Sequence, residues 1–192
     1  RILPASSCIF RNMKSRSLRN FSIASALVFS TASLTGCSID LGNAIGEVVS
    51  KYSEADVMFA QMMIEHHQQA VDMGTLAASR AFSPEVKALA EQIKAEQAPE
   101  ITQMKSWLTD AHASLHMGHE MVMDGLLSAD QMTALTDATG AKFDELFLKG
   151  MIAHHQGAIA MAKVVLDSGN DQVASLAKSI IESQTKQIET MK

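Results

Sequence analysis

The sequence predicts an all-α protein, a four-helix bundle built from two repeated helix hairpins. Three observations support this prediction. Residues 56–73 recur 88 positions later, and residues 86–105 recur 87 positions later. Apolar residues in these segments follow the helical period of about 3.6 residues, and residues that favour helix N-termini precede them. Because the connections inside each half are short, we expect neighbouring helices to run antiparallel.

The first 36 residues are predicted to be a signal peptide. Basic residues at positions 14–19 precede a mildly apolar run over 21–34, which ends in small residues. This run is too short and too rich in Ser and Thr to span a bilayer, which needs about 20 mostly apolar residues. Met13 is expected to be the natural start, so residues 1–12 are interpreted as a non-native extension.

The residues that follow this run, Leu34 to Cys37, resemble the lipobox of bacterial lipoproteins. In that motif the Cys sulfur is acylated and becomes the first residue of the mature protein. The resemblance implies lipidation at Cys37, a lipidated linker over 37–52, and a body anchored to a membrane on the periplasmic side of the cell envelope. Whether that is the inner or the outer membrane stays open.

The predicted bundle spans residues 53–192, and its helices begin with recognisable N-caps. Ser53 and Asp56 form a capping-box pattern, and Ser83 precedes a Pro84 at the first helical position. The four helices are expected near 54–79, 84–108, 141–168 and 171–191.

The connection over residues 109–140 is long for a bundle loop and rich in Met and His. Ser128 and Gln131 form another capping-box pattern, which predicts a short helix from about residue 129. A second metal site in this connection and a merely polar loop are both open interpretations. The donors that such a site would use are His112, His116, Met117, His119, Met121 and Met123.

Each repeat carries a His-His pair on its apolar stripe. At about 100° per residue, the duplicated positions of the first repeat, from Asp56 to Ala70, fall within an arc of roughly 100°. A lone His on such a stripe is usually a satisfied core residue. Four imidazoles beside two thioethers favour a metal site instead, because burying charged imidazoles would be costly. The predicted ligands are Met63, His66, His67, Met151, His154 and His155.

Four polar residues are expected to contact the ligand side chains and hold them in position without binding the metal themselves. Gln97 and Gln184 fall among Leu, Ile and Met on the second helix of each half. An unsatisfied buried amide costs about 1–3 kcal/mol, so we expect these amides to hydrogen-bond the histidines. Asp56 and Asp144, on the same stripes as the histidines, are also expected to act as such supports.

Ligand softness indicates the metal. Thioether sulfur suits Cu(I), whereas imidazole suits Cu, Zn, Ni and Fe. Met and His without a free Cys in an oxidising compartment therefore favour copper, as Cu(I) and also as Cu(II). Zinc stays open as an alternative, because His-rich sites accept Zn(II).

The charge distribution bears on partners. The first 36 residues carry five basic side chains and no acidic one, so the other 156 residues have 11 basic against 21 acidic side chains and a net charge of −10. Such a body repels a phosphate backbone, which argues against nucleic-acid binding. The sequence offers no nucleophile with a base and no cofactor fingerprint, so we do not expect an enzyme. A homo-oligomer stays open.

Two duplicated motifs and one helix ending carry a family resemblance. Residues 63–70 read MIEHHQQA, residues 151–158 read MIAHHQGA, and Gln97, Glu100 and Met104 precede Trp107-Leu108. Over about residues 54–192 the chain resembles the bacterial CopM-like proteins grouped as family 305 of the domains of unknown function. The resemblance implies a ferritin-like helical bundle in the cell envelope that binds copper and contributes to copper tolerance.

Two other functions stay open on the sequence. A ferritin-like di-iron oxidase would need a Glu from each of two helices and Glu-x-x-His from the other two, but Glu65 aligns with Ala153. A structural or adaptor lipoprotein without a metal would use its paired His only to hydrogen-bond Gln97 and Gln184.

Overall fold

The structure is a computed structural model that describes residues 50–118 and 123–192. These residues are helical apart from turns and one isolated bridge between Ala81 and Gly140, so the all-α prediction is confirmed. The helices are α1 (Glu54–Arg80), α2 (Pro84–Asp110), α3 (Ala129–Asp137), α4 (Gly140–Val164) and α5 (Asp171–Met191). The predicted signal peptide, Cys37 and most of the predicted linker lie outside the described residues, as do His119 and Met121.

Local capping explains where the helices begin. The Ser53 hydroxyl accepts from the Asp56 amide at 3.1 Å and the Asp56 carboxylate accepts from the Ser53 amide at 2.8 Å, which is the predicted capping box. Ser128 and Gln131 form the same arrangement at the start of α3. Ser83 accepts from two amides at the start of α2, and Asn170 does so at the start of α5.

The end of α4 differs from the prediction. The helix stops at Val164 rather than near residue 168. The amide of Val165 bonds to the Ala162 carbonyl at 3.2 Å, and the amide of Ser168 bonds to the Val165 carbonyl at 3.1 Å. These three-residue turns tighten the chain and end the regular helical ladder before Gly169 is reached.

The two hairpins meet through α1 and α4. Helix α1 packs along α2, α4 packs along α5, and α1 also packs against α4. The side-chain amide of Asn170 donates to the Lys51 carbonyl, and Asp144 accepts from the Ser83 amide. The start of α1 therefore lies beside the end of α4, and the two helices are antiparallel. None of the helices in the described part of the chain is both long and apolar enough to cross a membrane.

The apolar interior consists of two clusters. The first holds Phe59, Trp107 and Ile180 among its members, and the second holds Ile93 and Phe147. On α1 the first cluster ends at Ile64 and the second begins at Ala70. The other three long helices show the same interruption: it falls between Ile93 and Ile101, between Met151 and Ala158, and between Ile180 and Ile188.

Candidate metal centre

A layer of buried polar residues separates the two apolar clusters. Every member is at most 4% exposed, and all four histidines are fully buried. We call this set the polar layer; it consists of His66, His67, Gln97, His154, His155, Gln184 and Gln187. Met63 and Met151 lie directly beside it, one in each apolar cluster, and are also fully buried. The four predicted histidine ligands therefore lie at one level of the fold, with Met63 on one side of it and Met151 on the other.

Three of the four histidines have Nε2 bound to an acceptor. Nε2 of His67 donates to the Glu100 carboxylate at 2.7 Å, and Nε2 of His154 donates to the main-chain oxygen of His66 at 2.8 Å. Nε2 of His155 donates to the Gln187 side-chain oxygen at 2.7 Å. In a neutral ring whose Nε2 carries the proton, Nδ1 holds a free lone pair.

These Nδ1 atoms are buried and have no hydrogen-bond partner among the described residues. Neither ring nitrogen of His66 makes a hydrogen bond of ordinary geometry there, although the Asp124 main chain lies close to this ring. The rings of His66 and His154 lie against each other, with 3.7 Å between their centroids. The layer thus concentrates unpaired nitrogen atoms where each would cost about 1–3 kcal/mol if nothing bound it.

The prediction that Gln97 and Gln184 hydrogen-bond the histidines is wrong. Both amides are buried in the layer, but neither finds a partner within the described residues. The histidine partners are Glu100 and Gln187, each three residues further along the same helix. Residues three apart share a helix face one turn apart, so the sequence indicated the correct face and the wrong turn.

Asp56 and Asp144 do not contact the histidines as predicted supports would. The Asp56 carboxylate accepts from the Ser53 amide and caps α1. The Asp144 carboxylate accepts from the amides of Phe82 and Ser83, at 3.0 and 2.8 Å. Both aspartates therefore serve helix N-termini, where a carboxylate is favourable.

Burial keeps three of the interior histidines, His66, His154 and His155, neutral. It lowers the pKa of His66 to about 3, with His67 adding to this effect and the Asp124 main chain opposing it. It also lowers the pKa of His154 well below the ordinary value, with His66 as the next cause. The pKa of His155 falls to about 4, again mainly through burial and against the raising effect of Gln187. Neutral imidazole is the form that binds metals.

We expect the metal-free protein to lose stability between pH 6.5 and 5. In the unfolded chain the imidazoles become protonated near the ordinary His pKa of 6.5. In the folded chain His155 is protonated only near pH 4 and His66 only near pH 3. Stability is therefore full above pH 6.5 and falls by about 1.4 kcal/mol per pH unit per histidine below it. Urea unfolding at half-unit pH steps measures this slope.

The control for this prediction is His155→Leu, which removes one of the titrating rings. Between pH 6.5 and 5, the free energy of unfolding of this variant is expected to fall less steeply with pH, by the contribution of one proton, about 1.4 kcal/mol per pH unit. Most carboxylates titrate below this window, so they add little to the slope. A stability that does not change between pH 6.5 and 5 contradicts the prediction.

A segment of the long connection covers the polar layer. We call residues 123–127 the covering segment. Gln69 holds it by a double hydrogen bond, because its side chain accepts from the Leu127 amide at 2.8 Å and donates to the Leu127 carbonyl at 2.9 Å. Gly157 lets it approach, since a Cβ at that position would lie 1.8 Å from the Asp124 oxygen. Gly125 has φ +86°, a conformation that glycine adopts readily.

The predicted donors of the connection do not form one group. His112 is exposed, with φ 53°, and His116 is exposed with Nδ1 3.4 Å from the Glu65 carboxylate. Met117 is partly exposed near His116, whereas Met123 is buried in the covering segment. The described part of the connection therefore divides its donors between the surface and the interior.

Sequence reasoning missed the hydrogen-bonding role of several residues. Glu96 accepts from the Gln187 amide at 2.8 Å, which fixes the orientation of the amide that His155 contacts. Gln69 was not singled out, although the repeat offers a signal. Its counterpart is Gly157, one of the few differences inside the duplicated His motif.

The donor chemistry of the polar layer fits a soft metal ion. No three His, Cys, Asp or Glu side chains of residues 50–118 and 123–192 converge as a ready-made metal site. The donors present are unpaired imidazole nitrogens with two buried thioethers nearby. Metal-binding histidines usually donate their other ring N–H to a carboxylate, carbonyl or similar acceptor, as His67, His154 and His155 do.

Comparison with known proteins identifies relatives with the same fold. A DUF305 protein from Streptomyces coelicolor is 30% identical with a TM-score of 0.68, covering 71% of this chain and 89% of its own. A DUF305 fragment from Deinococcus radiodurans is 30% identical with a TM-score of 0.67, covering 73% and 94%. CopM in its Cu(I)-bound form is 34% identical with a TM-score of 0.60, covering 71% and 91%.

CopM has also been solved in Cu(II)-bound and Ag-bound forms. A comparison with curated proteins gives no match. The family profile described as "Domain of unknown function (DUF305)" matches residues 56–192. Because this profile spans most of the chain and the solved relatives are at least 30% identical, the chain belongs to the DUF305 family.

Proposed function

We propose that this protein is a copper-binding protein of the cell envelope that sequesters copper in the polar layer. In this proposal the four long helices form a ferritin-like bundle around the metal. The ligands are drawn from His66, His67, His154 and His155, with Met63 and Met151 as thioether donors. Copper bound there would be kept from water and from other proteins.

The unpaired Nδ1 atoms of the polar layer carry the proposal. Three histidines present a buried lone pair while an acceptor holds the opposite nitrogen. Packing alone does not account for this arrangement, because each buried polar atom without a partner destabilises the fold. A metal ion would satisfy several of these atoms at once.

Copper is favoured over other metals by the donors and by the relatives. Thioethers and imidazoles without thiolate suit Cu(I). The relative CopM has been crystallised with Cu(I), Cu(II) and silver, and zinc is not among these metals. We therefore propose Cu(I) as the principal ion, and Ag(I) as a convenient substitute in experiments.

The proposed location rests on the amino-terminal sequence. A leader over residues 1–36 and acylation at Cys37 would export the body and tether it by lipid, with residues up to 52 as a linker. The Streptomyces coelicolor relative is inferred to be a secreted protein. Both point to a compartment outside the cytoplasm.

A metal-titrated melting curve tests the function. An ion that binds only the folded state stabilises it by about 2.7 kcal/mol when free metal is 100 times Kd. For a body of this size we expect Cu(I), held reduced, or Ag(I) to raise Tm by roughly 5–10 °C. The measurement is calorimetry of the full chain carrying Cys8→Ser and Cys37→Ser, so that no thiol competes for the ion.

The opposite result is equally informative. A Tm that does not respond to Cu(I) or Ag(I) at any concentration below aggregation would contradict copper binding and favour a structural lipoprotein. Elemental analysis of the purified protein provides the second measurement. Retained iron with an oxo-bridge absorption band would favour the di-iron oxidase instead.

A further inference from the structure

A cleft on the outer side of α1 brings together three soft donors that lie outside the polar layer. Met58, His116 and Met117 all line it, and Tyr52 and Val57 contribute apolar surface. Its volume is about 600 Å³. Met58 belongs to α1, whereas the other two donors come from the long connection, so the cleft joins two separate parts of the sequence.

Two side chains of α1 hold the connection in place at this cleft. The amide of Gln61 donates to the Ser114 carbonyl at 2.7 Å. The Glu65 carboxylate lies 3.4 Å from Nδ1 of His116. Met58, Gln61 and Glu65 are three and four residues apart, so they share one face of α1, and the connection lies across that face.

Hydrophobic packing does not explain Met58. It is 48% exposed and is a member of neither apolar cluster of the described residues. A buried Met fills gaps in a core, but an exposed thioether brings apolar surface into contact with water and contributes mainly its soft sulfur. Met117 is partly exposed in the same cleft.

The charge around the cleft favours a cation. Glu54 lines the cleft, and Glu65 lies beside His116. Lys51, which lies over the ring of Tyr52, is paired with Asp110 at 2.8 Å. The body as a whole is acidic, with a net charge of −10 after residue 36. Two thioethers and one imidazole select a soft ion among cations, because thioether sulfur binds hard ions poorly.

We propose that Met58, His116 and Met117 form a second, solvent-accessible site for Cu(I). The inference rests on the copper-binding function proposed above and assigns it a second location. Met58 was not among the donors predicted from the sequence. His112 and Met123 were among the predicted donors, but they do not line the cleft. The site therefore uses α1 together with only part of the connection.

The test follows the Met methyl groups of the full chain by NMR during titration with Ag(I). The chain carries ¹³C-methyl Met together with Cys8→Ser and Cys37→Ser. The methyl signals of Met58 and Met117 are expected to shift together and to saturate. Met58→Leu and Met117→Leu are each expected to weaken binding at this site at least tenfold, measured by the shift of the remaining methyl signal, while far-UV circular dichroism stays unchanged.

Met161→Leu is the matched control, because Met161 is also partly exposed but lies on α4 and does not line the cleft. It is expected to leave the Met58 titration unchanged. Zn(II) in place of Ag(I) is expected to leave both cleft signals in place, and an equal shift with Zn(II) would overturn the assignment to a soft ion.

The two proposed sites succeed or fail separately in this experiment. If the Met63 and Met151 signals shift and saturate while those of Met58 and Met117 stay in place, the cleft is not a site and the interior proposal stands. If only the cleft signals shift, the cleft is a site and the interior proposal fails.

Discussion

Replacing His66 and His154 together with leucine is expected to lower the affinity for Cu(I) roughly 100-fold or more, which corresponds to about 2.8 kcal/mol of binding free energy. Their ring centroids lie 3.7 Å apart, and neither nitrogen of His66 makes a hydrogen bond of ordinary geometry in the described structure. The double variant removes three of the unpaired nitrogen atoms of the polar layer. Competition with a chromophoric Cu(I) chelator measures the loss.

The same variant is not expected to unfold the metal-free protein. Leucine places an apolar group of similar volume where unpaired polar atoms lay, a change that is nearly neutral or stabilising. Gln184→Leu is the matched control, because it removes an unpaired amide from the same layer and leaves every imidazole in place. An equal loss of Cu(I) affinity in this control would show that the imidazoles are not the ligands.

Gly157→Ala is expected to destabilise the fold by about 2 kcal/mol or more. The added Cβ would lie 1.8 Å from the Asp124 oxygen and 3.1 Å from Cα of Gly125. These atoms are backbone, so either the covering segment or α4 has to move. The loss is expected although alanine favours a helix over glycine by roughly 1 kcal/mol. Urea unfolding measures the change.

Gly150→Ala in the same helix separates packing from helix propensity. A Cβ there would meet only the ends of flexible side chains, Leu127 at 3.1 Å and Met73 at 3.4 Å. We expect this variant to be neutral or slightly more stable. Equal effects of the two substitutions would mean that the close approach of the covering segment contributes nothing to stability.

The helices could be predicted because their signals are local. Ser53, Ser83 and Ser128 cap the helices that the sequence assigned to them, since an N-cap depends on residues within one turn. The predicted end of α4 was wrong by four residues. The actual end depends on the tight turns that follow Val164. Gly169, which the sequence indicated as the helix terminator, lies beyond them.

The candidate site was predictable in composition and only partly in contacts. Helical periodicity placed His66 and His154 on buried stripes, and the structure buries both fully. Helical periodicity gives the direction in which a side chain points around the helix axis. It does not give the register along that axis, that is, which turn of a neighbouring helix the side chain faces. The histidine partners Glu100 and Gln187 therefore escaped prediction, as did the contact of the covering segment with Gly157, because both depend on tertiary packing.

The contact between the rings of His66 and His154 bears on the symmetry of the fold. These residues are equivalent positions of the two repeats, and equivalent residues that touch each other lie on an approximate two-fold axis. Two identical hairpins related by such an axis could form the same ring contact, but both copies would then carry the same neighbouring residues. Within one chain the copies differ: Gln69 binds Leu127, whereas its counterpart Gly157 leaves room for the backbone. Fusion of the repeats thus allows a single asymmetric cover over two equivalent imidazoles, which themselves differ because only His154 binds a main-chain oxygen.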